Sequence, residues 1–587
     1  MKSNLAGDSN ELLPFYKLPA HLMLEIWDYL PVQDRPIITA VSRRFRSVAL
    51  DSSSFWKYLI ADFGVPQKQF DTLLARAGRV PLHIVTRDPR YQRPTNRPRS
   101  ISFHAGSMAI SSLLAVLPRA MVLDTAVYRS GGNIELQNEA FHHILIIESL
   151  SMPMPWLRSL RVVQAPHFFL LQPGQPQPGQ QPTISPLFGG HTPALRHLSV
   201  TRSHLEWSDP IYQHLTYLLI RSPHTRCDLR QLFSILHSCP NLEFLGLDNA
   251  LGSDDGSQQR IVLPLLERLF ITDSDPHRVQ ALLGRLNAPN AMECDFIVPD
   301  WSLINQNPSE SSSLPVIGSI RELSITSSFR TPIRCFLECR TDDRRAVRYH
   351  LVLDQVIFAE QLPRLYEALK SSYIPFEKVQ KLTLSGVFSG GMMSQFLDLF
   401  PFIETLRARD LMFSQVPGHL AVNAFTDILS NEHFPRLQDI DIGPSLAPSF
   451  AALSTWLIAR TSPPSGCAKM RKVLIESRQP LPKASRMRIA SIVDGFKWKK
   501  ARSVNVTQST PPVSIPQRGT MTFPSQTNAT GTLEDTENGW DDDDEASTTI
   551  PDLYERIVLN NFFDDPALHY CHPSLQTKWN YWAIPGS

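Results

Sequence analysis

The sequence predicts an α/β protein, with a small helical unit near the N-terminus and then many short strands in one mostly parallel sheet. Three observations predict this order. Helix-start and helix-stop signals cluster between residues 15 and 63. A leucine-containing hexamer, usually preceded by a proline, recurs between residues 157 and 475. After residue 500 the chain becomes rich in Ser, Thr, Pro, Asn and Gln, which predicts a mostly disordered tail.

The segment 18–59 carries the signals of three short helices. Leu18-Pro19 opens the first, because a proline in the first turn of a helix loses no hydrogen bond, and Pro31 ends it. Asp34 is a good N-cap for the second helix, and the serines at 52–54 cap the third. The first helix is apolar on more than one face, and about forty residues cannot bury that surface by themselves. It therefore docks on the rest of this chain or on another protein, and the pattern leaves both open.

The same segment contains a set of residues in a characteristic order, namely Leu18-Pro19, Leu22, Glu25-Ile26, Tyr29-Leu30-Pro31, Asp34, Val41-Ser42-Arg43-Arg44-Phe45 and Phe55-Trp56-Lys57. In order and spacing, these residues resemble an F-box over roughly forty residues. Arg35-Pro36 departs from the family, which usually has two leucines there, and His21 replaces a commoner acidic residue. The resemblance implies binding to the SKP-type adaptor of a cullin-scaffold ubiquitin ligase. It also implies an adaptor-binding face made of Leu18, Pro19, Leu22, Ile26, Leu30 and Val41.

The hexamer L-x-x-L-x-[LIV] is the strand signature of leucine-rich repeats. Full or relaxed copies start at Leu157, Leu195, Leu242, Leu266, Ile320, Val379, Ile403, Leu437 and Met470. A proline lies two to five residues before eight of these nine copies. Segments whose apolar residues recur at helical spacing precede many of them. The repeated unit is therefore a helix, a proline turn and a short strand.

The spacing of the copies is irregular. Successive starts are 38, 47, 24, 54, 59, 24, 34 and 33 residues apart, and the Asn or Cys usual at the ninth position is absent from all nine copies. We therefore expect an irregular leucine-rich-repeat-like solenoid rather than a uniform one. A non-repeat α/β domain remains the alternative.

In a curved array of this kind, the positions of each strand that alternate with the buried ones face the concave side. This rule nominates a substrate-binding surface with both charge signs and two aromatic residues. For each position, an ordinary solvated strand residue remains the alternative. The nominated residues are Arg161, His197, Phe244, Arg268, Phe270, Glu322, Lys381, Arg407, Asp439, Asp441 and Lys472.

Composition excludes several classes of function. The 57 Lys and Arg residues balance 56 Asp and Glu, so the chain is no polyelectrolyte, and nucleic-acid binding is not expected. We find no apolar run long enough for a membrane span and no signal peptide. Seven cysteines in 587 residues are sparse and odd in number, as in a reducing compartment. We expect an intracellular protein, in the cytoplasm or the nucleus.

No catalytic, metal or cofactor site is predicted. Cys335 and Cys339 form a single C-x3-C pair, whereas a structural zinc site needs four ligands. The stretch 386–391 (GVFSGG) lacks the lysine and the hydroxyl of a phosphate loop, and no G-x-S-x-G nucleophile turn exists. An unrecognised hydrolase in the 64–500 region has no motif to support it. We therefore expect a chain that is not an enzyme and takes no cofactor.

These observations divide the chain into four parts: a flexible N-terminus (1–14), an F-box helical domain (15–63), a repeat region (64–500) and a tail (501–587). The tail contains an acidic run, Asp541 to Glu545, for which a solubilising role is the simplest interpretation, and several aromatic residues near its end. The leading hypothesis is a substrate-recognition subunit of a cullin-based ubiquitin ligase, with an unknown target protein bound by the repeat region. The alternative is a repeat scaffold that binds partners without ubiquitin transfer.

Overall fold

A computed structural model describes the following parts of the chain: residues 17–28, 35–62, 67–87, 112–113, 115–127, 152–164, 187–201, 205–223, 225–254, 256, 259–298, 320–328, 333–342, 345–353, 358–371, 376–388, 395–413, 434–443, 450–461, 467–477 and 482–500. The predicted flexible N-terminus and the predicted disordered tail lie outside these residues.

The N-terminal unit consists of α1 (Ala20–Asp28), α2 (Arg35–Val41), α3 (Arg43–Asp51) and a 3-10 turn (Ser53–Trp56). The second of the three expected helices, the one that follows Asp34, is divided in two at Ser42. The backbone of Ser42 is extended, and its hydroxyl accepts a hydrogen bond from the amide of Phe45 at 3.1 Å. Serine competes with helix propagation through such local bonds, so it ends α2 and caps α3.

An aromatic cluster holds this unit together. The Trp27 ring lies 5.3 Å from Phe45 and 5.4 Å from Phe55, measured between centroids. The indole N–H of Trp56 donates to the carbonyl of Ala49 at 2.7 Å, so its polar group is satisfied inside the core. Aromatic pairs in tilted or edge-on contact contribute about 0.5–1.5 kcal/mol beyond the area that they bury.

Within the residues given above, seventeen strands form one sheet, and β8 and β10 pair separately. The strands are β1 (Tyr58–Asp62), β2 (Leu82–Arg87), β3 (Ala120–Val127), β4 (Ser159–Gln164), β5 (His197–Thr201), β6 (Tyr217–Arg221), β7 (Phe244–Asp248), β8 (Ile261–Val262), β9 (Arg268–Thr272), β10 (Leu286–Asn287), β11 (Glu293–Val298), β12 (Ile320–Ser328), β13 (Ile333–Thr341), β14 (Ala346–Leu353), β15 (Lys381–Phe388), β16 (Thr405–Phe413), β17 (Asp439–Ile442), β18 (Lys472–Ser477) and β19 (Gly495–Lys500).

Most strands pair in parallel with the next strand along the chain. The parallel pairs run from β1 through β7 to β9 and β11, and again from β15 to β19. The middle of the sheet departs from this order. There β11 pairs with β14, β14 and β13 are antiparallel, β13 and β12 are antiparallel, and β12 pairs in parallel with β15. The expected mixed α/β fold with a large, mostly parallel sheet is confirmed, and the antiparallel insertion was not predicted.

All nine leucine-containing hexamers coincide with described strands, namely β4, β5, β7, β9, β12 and β15 to β18. A tenth copy was missed. Leu215, Leu218 and Ile220 satisfy the same pattern in β6, and Leu215 lies 20 residues after Leu195 and 27 before Leu242. This copy divides the 47-residue gap between Leu195 and Leu242 into two intervals typical of short repeats.

The helices beyond the N-terminal unit are α4 (Gln67–Ala77), α5 (Leu229–His237), α6 (Pro276–Leu283), α7 (Phe358–Ser371), α8 (Phe450–Thr461) and α9 (Lys483–Ile492). One hydrophobic core joins their apolar faces to the inner face of the sheet and to the N-terminal unit. In α5, for example, Leu229, Leu232, Phe233, Ile235 and Leu236 are buried, and Asp228 with Gln231 forms a capping box. The opposite face of the sheet, called the outer face below, carries the alternate side chains of each strand.

Candidate interaction surfaces

Helix α1 carries apolar side chains on two sides. Met23 and Trp27 are buried in the core of the N-terminal unit, whereas Leu22 is 37% exposed and Ile26 is 42% exposed. Helix α2 repeats this arrangement, since Ile38 is buried while Ile37 and Val41 are 61% and 60% exposed. Isolated exposed apolar residues are ordinary, but several on two short helices are typical of an interaction surface.

The residues expected to form the adaptor-binding face have different surroundings. Pro19, Leu22, Ile26 and Val41 are exposed. Leu18 is half-buried against the core, and its carbonyl accepts a hydrogen bond from the Arg44 guanidinium at 2.8 Å. Leu30 lies outside the described residues. Ile37, which was not nominated, is exposed as well. Two adjacent isoleucines on a helix point in different directions, so the pair Ile37-Ile38 could have indicated that one of them is exposed.

Polar contacts between helices fix the shape of this unit. The Arg46 guanidinium donates to the carbonyl of Thr39 at 2.8 Å, and the Lys57 ammonium lies 2.8 Å from the Asp28 carboxylate. The second contact joins the end of α1 to the residue just before β1. Since these bonds and the aromatic cluster hold the helices in place, the exposed apolar side chains of α1 and α2 are presented by a preformed unit.

The strand register places the eleven nominated sheet residues in two rows across the outer face. The first row contains His197, Phe244, Arg268, Glu322, Lys381, Asp439 and Lys472. The second row, two residues further along each strand, contains Arg161, Phe270, Arg407 and Asp441. The register therefore brings all eleven to one face, and their binding role stays a prediction.

The part of this face nearer the N-terminus is aromatic and closely packed. Tyr217 stacks on Phe244 with a centroid distance of 4.3 Å and an angle of 8°, and His197 meets Tyr217 edge-on at 6.1 Å. Phe244 and Phe270 are buried together with Leu219 and Ile297. Since Phe244, Phe270 and Arg161 are all buried, these three nominated residues contribute packing and not exposed contact area.

The middle of the face carries a charged network centred on Arg348. Its guanidinium lies 3.0 Å from Glu338, 3.4 Å from Asp295 and 3.5 Å from Glu293. Burial lowers the pKa of Arg348, but the three carboxylates outweigh burial and raise it above its ordinary value. None of these four residues was nominated, because β11, β13 and β14 lack the leucine-containing hexamer.

Beside this network is a cavity of about 220 Å³ between β12, β13, β15 and β16. Its lining includes the cations Arg340, Lys381 and Arg407, the carboxylates of Glu322 and Glu338, and several hydroxyls. Lys381 is ion-paired with Glu322, and Arg340 lies 2.9 Å from Glu338. The exposed Arg407 has no ion-pair partner within the described part of the chain. This region therefore offers an exposed guanidinium that forms no ion pair with a described side chain, although Asp441 lies opposite it on the neighbouring strand.

The cysteines and the possible metal ligands are the remaining candidates for a chemical site. Cys227, Cys294 and Cys339 are buried free thiols, and burial raises the pKa of each. A buried thiol with a raised pKa is a poor nucleophile, because the thiolate is the reactive form. Within the ranges described above, no three His, Cys, Asp or Glu side chains are grouped in a way that would hold a metal ion. No helix among the same residues combines the length and hydropathy that crossing a bilayer requires.

Comparison with protein families matches residues 15–61 to the F-box-like family. The match covers the N-terminal helices and most of β1, so the resemblance seen in the sequence is confirmed for this segment. No curated protein matches the chain. The chain therefore carries an F-box-like domain, and domains of this type are typically non-catalytic modules that bind SKP-type adaptors in cullin complexes.

Proposed function

We propose that this chain is a substrate-recognition subunit of a cullin-based ubiquitin ligase. In this proposal the helical unit 15–63 binds the SKP-type adaptor, the region 64–500 forms a leucine-rich-repeat-like solenoid, and the outer face of its sheet binds a target protein. The chain performs no chemistry itself and contributes proximity between target and ligase. The free, buried cysteines are compatible with an intracellular protein.

The observation that carries the adaptor role is the second apolar surface of α1 and α2. Met23, Trp27 and Ile38 complete the internal core, so Leu22, Ile26 and Val41 are not needed to close it. An amphipathic partner helix laid against such side chains buries them at about 25 cal/mol per Å² of apolar area. This surface is what the F-box-like match leads us to expect at these positions.

Direct binding of the purified full-length chain to a purified SKP-type adaptor tests this role. Ile26→Asp and Val41→Asp should each weaken binding at least ~30-fold, about 2 kcal/mol, because each places a charge in an apolar contact. Met487→Asp is the matched control, since Met487 is an apolar residue of α9 that is 66% exposed. Wild-type chain without affinity at micromolar concentration, or equal weakening by Met487→Asp, would remove the adaptor role.

A test of the role of the outer face requires a candidate target protein, and proximity labelling in cells can identify one. Proteins labelled by the wild-type chain and lost on Arg407→Glu are candidates that depend on this face. Their half-lives should lengthen when Ile26→Asp replaces the wild type. If a candidate still binds and its half-life stays the same, the chain acts as a scaffold without ubiquitin transfer.

A further inference from the structure

The C-terminal strands of the sheet carry an excess of exposed cations on their outer face. On the outer face of β16 to β19, Arg407, Lys472, Lys497 and Lys499 are exposed, and none of them has an ion-pair partner within the described residues. We call these four residues the cationic strip. The nearby Arg471 is already ion-paired, since its guanidinium lies 2.6 Å from the Asp439 carboxylate.

The outer face of these C-terminal strands carries a net positive charge. The five cations, Arg471 included, lie near four carboxylates, those of Glu404, Asp439, Asp441 and Glu476, which leaves an excess of one positive charge. The part of the outer face around the cationic strip therefore has a net positive charge, although the whole chain is nearly neutral. Exposed charges attract an opposite charge over roughly a Debye length, about 10 Å at 0.1 M salt.

The compensating negative charge is present in the same chain. Asp541, Asp542, Asp543, Asp544 and Glu545 are consecutive, and no Lys or Arg occurs between Arg518 and Arg556. This acidic run is therefore not neutralised by its neighbours in sequence. Its repulsion is relieved only by counterions or by cations elsewhere in the fold.

The length of the intervening chain permits contact. Asp541 follows Lys500, the last residue of β19, by 41 residues, and such a chain reaches ~140 Å when extended. The strip extends across three strand spacings from β19 to β16, about 14 Å. Covalent attachment also raises the effective concentration of the acidic run at the strip far above that of a free peptide.

We propose that the acidic run Asp541 to Glu545 docks on the cationic strip of its own chain. The occupied strip includes Arg407 beside the cavity, so the tail covers part of the outer face of the sheet. A target protein for that face then has to displace the acidic run, and docking is an internal competitor for binding. This docking does not depend on the adaptor role of the N-terminal unit.

Zero-length carbodiimide coupling of the full-length chain tests the contact. The reagent joins a carboxylate to a lysine only where the two already form a close pair, and mass spectrometry maps the product. Carboxylates of the acidic run should couple to Lys472, Lys497 or Lys499 at least ~10-fold more than to the exposed control Lys483 on α9, because attachment to the tail is common to all four lysines and docking brings only the strip lysines close. Coupling that is equal at Lys483, or absent from the strip, would overturn the proposal.

The same experiment distinguishes the chain's own tail from that of a second copy. Equal amounts of unlabelled and ¹⁵N-labelled chain are mixed before coupling. Docking within one chain gives coupled peptides that are wholly light or wholly heavy, whereas mixed pairs would show contact between copies and contradict the proposal. Salt at 1 M, where the Debye length is about 3 Å, should abolish coupling to the strip.

A competition experiment then measures the effect on binding. The probe is a synthetic peptide covering residues 536–549. It should bind at least ~10-fold more tightly to a full-length chain with Asp541–Asp544→Asn and Glu545→Gln than to the wild type, because the neutral tail no longer competes. Adding Arg407→Glu to the neutral-tail chain should remove that gain. Equal affinity for wild-type and neutral-tail chains would contradict docking.

Discussion

At the scale of single residues, His197 makes the free energy of unfolding depend on pH. Burial and, to a lesser extent, the neighbouring Arg196 lower the pKa of His197 below its ordinary value. The neutral imidazole packs edge-on against Tyr217 in the aromatic part of the outer face. His197 is therefore harder to protonate in the folded chain than in the unfolded chain.

The pH dependence follows from this difference by linkage. Because the folded-state pKa of His197 is depressed, the unfolded chain binds more protons below the ordinary pKa of about 6.5. The contribution of His197 to stability is complete above that pH and decreases as the pH falls below it. Replacing His197 by Gln should flatten the loss of stability between about pH 6.5 and pH 5.5, as measured by denaturant unfolding. An unchanged pH profile would show that His197 does not titrate in this window.

Gly246 is a second residue with a defined role. It lies on the outer face of β7, where an added Cβ would be 2.5 Å from Leu219 Cδ1 and 2.9 Å from Phe244 Cε1. Both neighbours are buried and have little room to move. Gly246→Ala should therefore lower the free energy of unfolding by about 1–3 kcal/mol, the usual cost of overpacking.

A double-mutant cycle checks this explanation. In a Leu219→Ala background the nearest clashing atom is absent, so Gly246→Ala should cost less than it does in the wild type. Strictly additive effects would mean that the penalty arises elsewhere, for example from a backbone requirement of β7.

At the scale of single elements, β19 lies at an edge of the described sheet. Within the described residues it pairs only with β18, so its outer edge presents unpaired backbone groups. Exposed edges of this kind invite pairing with another chain, and lysines on edge strands oppose it. Lys497 and Lys499 are both exposed on β19.

Replacing both lysines by valine should therefore promote self-association of the folded chain. The variant Lys497→Val/Lys499→Val is expected to show concentration-dependent light scattering at concentrations where the wild type is monodisperse. Lys483→Val, on the exposed first turn of α9, is the control for loss of positive charge. Equal behaviour of the two variants would assign any effect to net charge and not to the strand edge.

The elements also show how far the sequence could predict the fold and the candidate surfaces. Leucine periodicity locates strands whose inner face is buried under helices, and it nominates their outer positions from strand alternation. It fails for β11, which lacks that spacing, and for β13 and β14, which form an antiparallel insertion without it. Arg348 and its carboxylate partners were missed for this reason. The burial of Phe244 and Phe270 was missed because packing between neighbouring strands depends on register, which a hexamer does not encode.

At the scale of the whole molecule, the F-box-like domain and the sheet form one structure. Strand β1 begins two residues after Trp56 and pairs in parallel with β2, and one hydrophobic core includes residues of α1, α3, β1 and β2. The proposed boundary at residue 63 therefore follows a strand that belongs to the sheet. A fragment ending there would leave β1 without its parallel partner.

This continuity predicts that damage to the sheet near β2 reaches the helical unit, whereas damage at the opposite end does not. Ile84 of β2 and Ile489 of α9 are both fully buried, and Ile→Ala at such sites costs about 2–5 kcal/mol. In an array where each unit contacts mainly its neighbours, destabilisation remains local. Ile84→Ala should accelerate amide hydrogen exchange in α3 and β1, whereas Ile489→Ala should accelerate it in β18 and β19 only. If both variants accelerated exchange equally throughout the sheet, the chain would unfold as a single cooperative unit, and the local transmission argued from the strand pairing would be wrong.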